Sequence, residues 1–148
     1  MTPAPAKKRY LVLCTGNRCR SQMAHGWLAH LGGDAVEVAS AGTKPKGVHP
    51  LSIDVMAEAG VDIAGHTSDH VDAYADQAFD AVITVCDSAK EACPAFPGAK
   101  RTVHHAFEDP DYPELAERDP VEFRRVFCRI RDEIRDWCEG FLREENAI

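Results

Sequence analysis

The chain has 148 residues, of which 24 are acidic and 17 are basic, and 45% of its residues are apolar. This composition is typical of one globular domain with an ordinary core. The net charge of −7 argues against nucleic acid as a partner, because phosphate binding needs concentrated positive charge. No apolar run approaches the ~20 residues that cross a bilayer, and the N-terminus lacks the long apolar stretch of a secretory signal. We therefore expect a cytoplasmic protein that does not associate with membranes.

The first half of the chain predicts two strands and two helices. Residues 1–8 are rich in proline, alanine and lysine and should form a flexible tail before a single domain, 9–148. The apolar run at 9–14 predicts a central strand covered on both faces. Residues 21–33 have helical spacing and end at two glycines. A second strand over 35–42 and a second helix over 49–60 follow.

The second half continues the alternation after a polar connection. The segment 78–86 is β-branched and apolar and is the strongest strand signal in the chain. Good helix formers follow at 87–92, and 100–107 predicts a fourth strand. From Pro120 onward, apolar residues form one long helical stripe: Phe123, Val126, Phe127, Ile130, Ile134, Trp137 and Phe141. The sequence therefore predicts an α/β fold, a single-domain four-stranded parallel sheet flanked by helices on both faces.

A cysteine, Cys14, ends the first predicted strand, and an arginine, Arg20, begins the helix that follows. The backbone amides between them can surround a bound anion, with the helix N-terminus behind it. The residues predicted to bind the oxyanion are Thr15, Gly16, Asn17, Arg18, Cys19 and Arg20. Amides, helix dipole and guanidinium all favour the thiolate of Cys14, which should be a nucleophile. Arg20 can bind two oxygens of a tetrahedral anion. Ser21 can donate a hydrogen bond to the sulfur.

The alternative is that Cys14 is only a buried core cysteine, which an isolated cysteine often is. The C-x5-R spacing with an interior glycine, set directly between strand and helix, favours the catalytic interpretation. A zinc site is not indicated, because the six cysteines contain no C-x-x-C pair. We expect Cys19, Cys128 and Cys138 to be structural.

A family resemblance rests on five stretches of the sequence: CTGNRCRSQMAHGW, SAGT, HTSD, VITVCDSAKEACP and FEDP. They resemble the low-molecular-weight tyrosine phosphatase superfamily, and Ser21-Gln22 is similar to its thioredoxin-coupled arsenate reductase branch. The resemblance also selects Asp109 as the catalytic acid, because the family's aspartate precedes a proline. An acidic turn would otherwise explain the carboxylates around it.

Electron counting separates a reductase from a phosphatase. Reducing arsenate to arsenite takes two electrons, which two thiols can supply by forming a disulfide. Cys86 ends the third predicted strand and should emerge near Cys14, because parallel strands finish at the same edge of the sheet. Cys93 follows seven residues later. Either cysteine alone would be interpreted as structural; together they favour a redox role.

The resemblance implies a relay in which a Cys14–Cys86 disulfide is followed by a Cys86–Cys93 disulfide that thioredoxin reduces. In a helix, seven residues would separate Cys86 from Cys93 by about 10 Å, whereas a disulfide tolerates about 7 Å between Cα atoms. The sequence therefore predicts that this segment unwinds on oxidation.

No tightly bound cofactor is expected, since the electrons would come from thioredoxin. Some relatives bind potassium beside the loop, and the matching residues here are Asn17, Ser40, Thr67 and Asp69. His25 replaces a glutamate of that site. A neutral histidine brings no negative charge, so we expect a monovalent cation to bind weakly at most.

The sequence leaves two alternatives to a monomeric arsenate reductase. One is a tyrosine phosphatase of the same fold, with the acidic turn around Asp109 as its acid loop. The other is a redox sensor that binds phosphate or arsenate and signals through its disulfide.

Overall fold

Four parallel strands form one sheet in the computed structural model, which describes residues 6–87 and 96–148. The strands are β1 Lys8–Cys14, β2 Val36–Gly42, β3 Ala81–Thr84 and β4 Thr102–His104. Their order in the sheet is β2-β1-β3-β4, so β1 lies between β2 and β3. The predicted four-stranded parallel sheet is confirmed.

Four α-helices accompany the sheet in the described ranges. They are α1 Arg20–Gly32, α2 Pro50–Glu58, α3 Pro113–Arg118 and α4 Pro120–Glu144. Short 3₁₀ helices cover Gly33–Ala35 and Val71–Tyr74. No helix within 6–87 or 96–148 has the length and apolar character needed to span a bilayer.

The side chains of β1 alternate between two apolar clusters, as the pleat of a strand requires. Tyr10, Val12 and Cys14 join a large cluster that packs against α1, α2 and α4. Leu11 and Leu13 face a smaller cluster on the other side of the sheet. In the described part of the chain, that smaller cluster is covered by residues of the 3₁₀ helix Val71–Tyr74 and by loops rather than by an α-helix, so the helical cover is uneven.

Helix α4 follows the predicted stripe closely. Asp119 caps it by accepting a hydrogen bond from the Glu122 amide (3.1 Å), and Pro120 takes the first turn, where no amide hydrogen is needed. Five residues of the stripe are buried, and Val126 and Trp137 are partly buried. The helix therefore supplies one wall of the main core.

The structure differs from the sequence prediction at several boundaries. Lys8, which we assigned to the tail, begins β1 and pairs with Val36, because β2 offers it a partner that local sequence does not reveal. The predicted third and fourth strands are shorter than expected. Helix α3 was not predicted, and the helix expected over 87–92 lies almost wholly outside the described residues.

This topology places the loop after β1 at the point where the chain changes direction across the sheet. The chain moves from β1 to β2 on one side and later to β3 on the other, so a crevice opens outside the carboxyl ends of β1 and β3. Ligands of open α/β sheets bind at such switch points.

Candidate active site

The loop from Cys14 to Arg20 surrounds a cavity of about 140 Å³. That volume is several times the roughly 30 Å³ of one liquid water, so it accepts a small tetrahedral anion. The cavity is lined by Cys14, Thr15, Gly16, Arg18, Cys19, Arg20, Lys46, Asp109 and Asp111. It therefore contains the predicted nucleophile, the predicted arginine and the predicted acid together.

Cys14 lies in the floor of this loop, 2% exposed and held by two polar contacts. The amide of Asn17 donates to its Sγ across 3.2 Å, and the Oγ of Ser21 is 2.9 Å from the same sulfur. Asn17 Nδ2 also donates to Ser21 Oγ (2.8 Å), which leaves the serine hydrogen to point at the sulfur. Both contacts favour a thiolate, because a thiolate only accepts hydrogen bonds.

Asn17 adopts a left-handed backbone conformation, with φ of 47°, that non-glycine residues other than asparagine and aspartate seldom adopt. Its side chain is bound at both ends, because Oδ1 accepts the Asp69 amide (2.9 Å) while Nδ2 reaches Ser21. The bend that turns the loop amides inward is thus fixed by a buried asparagine.

Two further side chains hold the outer surface of the loop. Gln22 Nε2 donates to the carbonyls of Asn17 (3.1 Å) and Thr67 (3.0 Å). Ser68 Oγ donates to the carbonyls of Gly16 (3.2 Å) and Asn17 (2.9 Å). Since the carbonyls are occupied on the outside, the amides remain directed toward the cavity.

Gly42, the last residue of β2, lets the loop pack directly on the sheet. A Cβ at this position would lie 2.4 Å from the Thr15 carbonyl oxygen, 2.9 Å from that of Cys14 and 3.0 Å from the Asn17 nitrogen. All three atoms are backbone and cannot turn aside. The loop geometry therefore requires glycine here.

Arg20 begins α1 and is 5% exposed. Its Nη1 donates to the Phe107 carbonyl (3.3 Å), and its Nη2 lies 3.7 Å from Asp109 Oδ2. The first turn of α1 carries no acidic residue, and Cys19 provides no side-chain cap. A bound anion would therefore meet both the helix amides and the guanidinium.

Cys86 emerges beside Cys14 at the same edge of the sheet. Leu13 pairs with Thr84, and Cys86 lies two residues beyond that pair, fully buried in the same apolar cluster as Cys14. Cys86 is bonded in a disulfide, whereas Cys14 and the other described cysteines are free thiols. Cys93 lies outside the described residues, as does most of the segment predicted to unwind.

Comparison with known proteins identifies the family. A model of the low molecular weight phosphotyrosine protein phosphatase family matches residues 9–147. The chain belongs to this family. The predicted membership is therefore confirmed.

Several members of the low molecular weight phosphatase family that resemble this chain are arsenate reductases. The arsenate reductase of Halalkalibacterium halodurans is 46% identical over 128 residues, which are 86% of this chain and 90% of that protein. A solved arsenate reductase in the phosphate-binding state has a TM-score of 0.76 and 32% identity, covering 93% of this chain and 98% of that one. A thioredoxin-dependent arsenate reductase from Corynebacterium glutamicum has a TM-score of 0.66 and 29% identity, covering 93% of this chain and 63% of that one.

The residues that match the cation site of some family members have other partners in this structure. Ser40 Oγ is 2.9 Å from His25 Nδ1, and Asn17 Oδ1 already accepts the Asp69 amide. Burial lowers the pKa of His25 to about 3, with the neighbouring His66 adding to the effect, so His25 is neutral. Within the described residues no group of three or more His, Cys, Asp or Glu side chains could hold a metal ion.

The three cysteines expected to be structural differ in exposure. Cys19 and Cys138 are buried, and burial raises the pKa of both thiols, that of Cys19 to about 12. Cys128 is half-buried on α4. Cys19 therefore contributes its backbone to the family's anion loop while its side chain faces the core.

Sequence reasoning missed several side chains that support the loop. Ser68 and Gln22 hold loop carbonyls, and His66 Nδ1 lies 3.0 Å from Gln22 Oε1 while its ring stacks on His25 with centroids 4.0 Å apart. The HTSD stretch contributes to the family resemblance, but its sequence does not indicate that it packs against the anion loop. Asp111 belongs to the acidic turn around Asp109, and no sequence signal indicates its contact with Arg18.

Proposed function

We propose that this protein reduces arsenate to arsenite through a relay of three cysteines. The observation that carries the proposal is the position of Cys86, which follows the strand next to Cys14 and is buried in the same cluster. A phosphatase needs only the first thiol, whereas a reductase needs a second one within reach. The arsenate reductases similar to this chain support the same conclusion.

In the first step the Cys14 thiolate attacks the arsenic of arsenate held by Arg20 and the loop amides. An arsenic–sulfur bond forms, one arsenic–oxygen bond breaks, and Asp109 supplies a proton so that the oxygen leaves as water. Its carboxylate is 54% exposed and lies 3.7 Å from Arg20, at the mouth of the cavity. The charge of the anion is matched by the guanidinium and the α1 N-terminus.

In the second step a reduced Cys86 attacks the sulfur of Cys14. The arsenic–sulfur electron pair passes to arsenic, which leaves as arsenite, and a Cys14–Cys86 disulfide remains. Cys93 then attacks Cys86, releases the Cys14 thiolate and leaves a Cys86–Cys93 disulfide. Thioredoxin reduces that disulfide with its own two thiols, which returns the protein to its starting state. The free Cys14 and disulfide-bonded Cys86 of this structure are compatible with the last oxidised state of this cycle.

The relay requires reduced thiols at the start of each cycle, which fits a cytoplasmic location. The family's phosphatase chemistry is the second candidate, because a nucleophile, an anion-binding arginine and an acid, Cys14, Arg20 and Asp109, line one cavity. A weak phosphatase activity is therefore compatible with the main proposal.

The deciding experiment is NADPH oxidation coupled through thioredoxin and thioredoxin reductase, with and without arsenate. Wild type should oxidise NADPH in proportion to arsenate. Cys86→Ser and Cys93→Ser should abolish multiple turnovers while leaving any aryl phosphate hydrolysis intact, and Cys128→Ser is the matched control. Slow or absent turnover in wild type with excess thioredoxin would favour a redox sensor. Loss of hydrolysis in the Cys86 and Cys93 variants would refute the separate roles.

A further inference from the structure

Three side chains from separate segments meet at the mouth of the cavity. Arg18 comes from the anion loop, His49 caps α2, and Asp111 follows β4. Arg18 Nε lies 3.2 Å from Asp111 Oδ2, and His49 Nε2 lies 3.5 Å from Asp111 Oδ1. The Asp111 side chain is only 25% exposed, so these contacts are better shielded than an ordinary surface ion pair.

His49 is held so that its hydrogen faces Asp111. Its Nδ1 accepts the Leu51 amide across 3.0 Å, which places the hydrogen of the neutral ring on Nε2. The ring packs on Phe127 with centroids 5.0 Å apart. Burial lowers the pKa of His49, so a neutral rather than a charged ring lies 3.5 Å from the Asp111 carboxylate.

Arg18 is anchored on its other side as well. Its Nη1 reaches the carbonyls of Lys46 (3.3 Å) and Gly47 (3.4 Å). That segment is itself fixed to the loop, because the Lys46 amide donates to the Gly16 carbonyl (3.0 Å). The guanidinium therefore connects Asp111 to a part of the molecule that the loop already orders.

Asp111 in turn holds Asp109. The amide of Asp111 donates to Asp109 Oδ1 across 3.0 Å, while the other oxygen, Oδ2, faces Arg20. One carboxylate oxygen is thus fixed by the neighbouring backbone and the other is directed at the cavity. A shift of the Asp111 backbone would turn the acid away from the anion.

We propose that Arg18, His49 and Asp111 form a clamp that positions Asp109 at the cavity, where it can protonate the leaving oxygen of the anion bound to Cys14. The effect of this clamp on catalysis rests on the proposed function, whereas the contacts that form the clamp do not. His49 and Asp111 are positioning residues, since they act through Asp109, and both Arg18 and Asp111 also line the anion cavity.

A double-mutant cycle tests the clamp. Asp111→Ala should slow single-turnover arsenite release by about tenfold, a part of the 10²–10⁴-fold that a positioned acid contributes. The dissociation constant for phosphate should not rise, because the variant removes a negative charge from the cavity lining. In an Asp109→Asn background, Asp111→Ala should have almost no further effect on the rate. Asp136→Ala, at an exposed aspartate of α4, is the control and should match wild type.

If Asp111→Ala slowed the reaction equally in wild type and in Asp109→Asn, the clamp would be overturned, because Asp111 would then act independently of the acid. Amide hydrogen exchange over 108–112 provides a readout that needs no activity. Exchange there should quicken in both Asp111→Ala and His49→Gln, and unchanged exchange in both would also overturn the proposal. If wild type reduces no arsenate, the proposed function fails, while the exchange result still decides the clamp.

Discussion

Ser21 directs its hydroxyl hydrogen at Cys14 across 2.9 Å, because Asn17 already donates to the serine oxygen. Ser21→Ala removes this hydrogen bond to the thiolate and leaves the Asn17 amide on the sulfur. A hydrogen bond to a charged group contributes about 1.5–3 kcal/mol. We therefore expect the alkylation of Cys14 at pH 6.5 to slow by roughly tenfold or more.

The rate of iodoacetamide labelling as a function of pH measures this effect. Ser52→Ala is a matched control, since Ser52 is a fully buried serine that lies in α2 rather than in the anion loop. Identical labelling profiles for Ser21→Ala and wild type would show that the serine does not stabilise the thiolate.

Cys14 should be the reactive thiol among the free cysteines. It lines the anion cavity, whereas burial raises the pKa of Cys19 to about 12 and also raises that of Cys138. Mass mapping after brief alkylation at pH 7 should show Cys14 modified at least about tenfold faster than Cys19. Phosphate should protect Cys14 by filling the cavity. Preferential labelling of Cys19 would contradict this assignment.

Gly42→Ala should disrupt the anion loop from behind. Its Cβ would lie within 3.0 Å of three backbone atoms, so either β2 or the loop must move. We expect a loss of about 1–3 kcal/mol in the free energy of unfolding and weaker phosphate binding. Urea unfolding and calorimetric titration measure the two effects. Gly140→Ala, in α4 with open space around it, should be neutral or slightly stabilising, and equal behaviour of the two variants would refute the packing argument.

The half-buried histidine His25 should make the protein less stable in acid. Its folded pKa is about 3, well below the unfolded value near 6.5, so the unfolded chain binds the extra proton between these values. The stabilisation is complete above pH 6.5 and is lost as the pH falls toward 3. At pH 5 the loss from His25 should reach at most about 2 kcal/mol.

Urea unfolding at pH 7 and pH 5 measures this loss. His25→Gln should reduce the difference in the free energy of unfolding between pH 7 and pH 5. His30→Gln, at an exposed histidine of the same helix, should not reduce it. An undiminished difference in His25→Gln would show that other groups, such as His66, control the acid sensitivity.

Local sequence predicted the parts of this fold that local patterns specify. The apolar run ending at Cys14 and the stripe of α4 follow directly from strand and helix periodicity, and both are buried as expected. The placement of Arg20 at the start of α1 follows from the strand–loop–helix pattern in the same way.

The remaining features depend on contacts between distant segments. Ser68 supports a loop about fifty positions earlier in the chain, and Asp111 meets Arg18 across ninety-three positions. Nothing in the composition of either segment indicates its partner. Helix α3 was missed because it is short and lies beside the acidic turn, where proline and carboxylates favour a loop interpretation.

The adjacency of β1 and β3 has an implication for redesign. The anion cradle is anchored to β1, β2 and the HTSD segment by hydrogen bonds and by close backbone packing. Because Cys86 enters from a neighbouring strand, replacing this one thiol should convert electron transfer to simple ester cleavage while the scaffold that holds the anion stays in place.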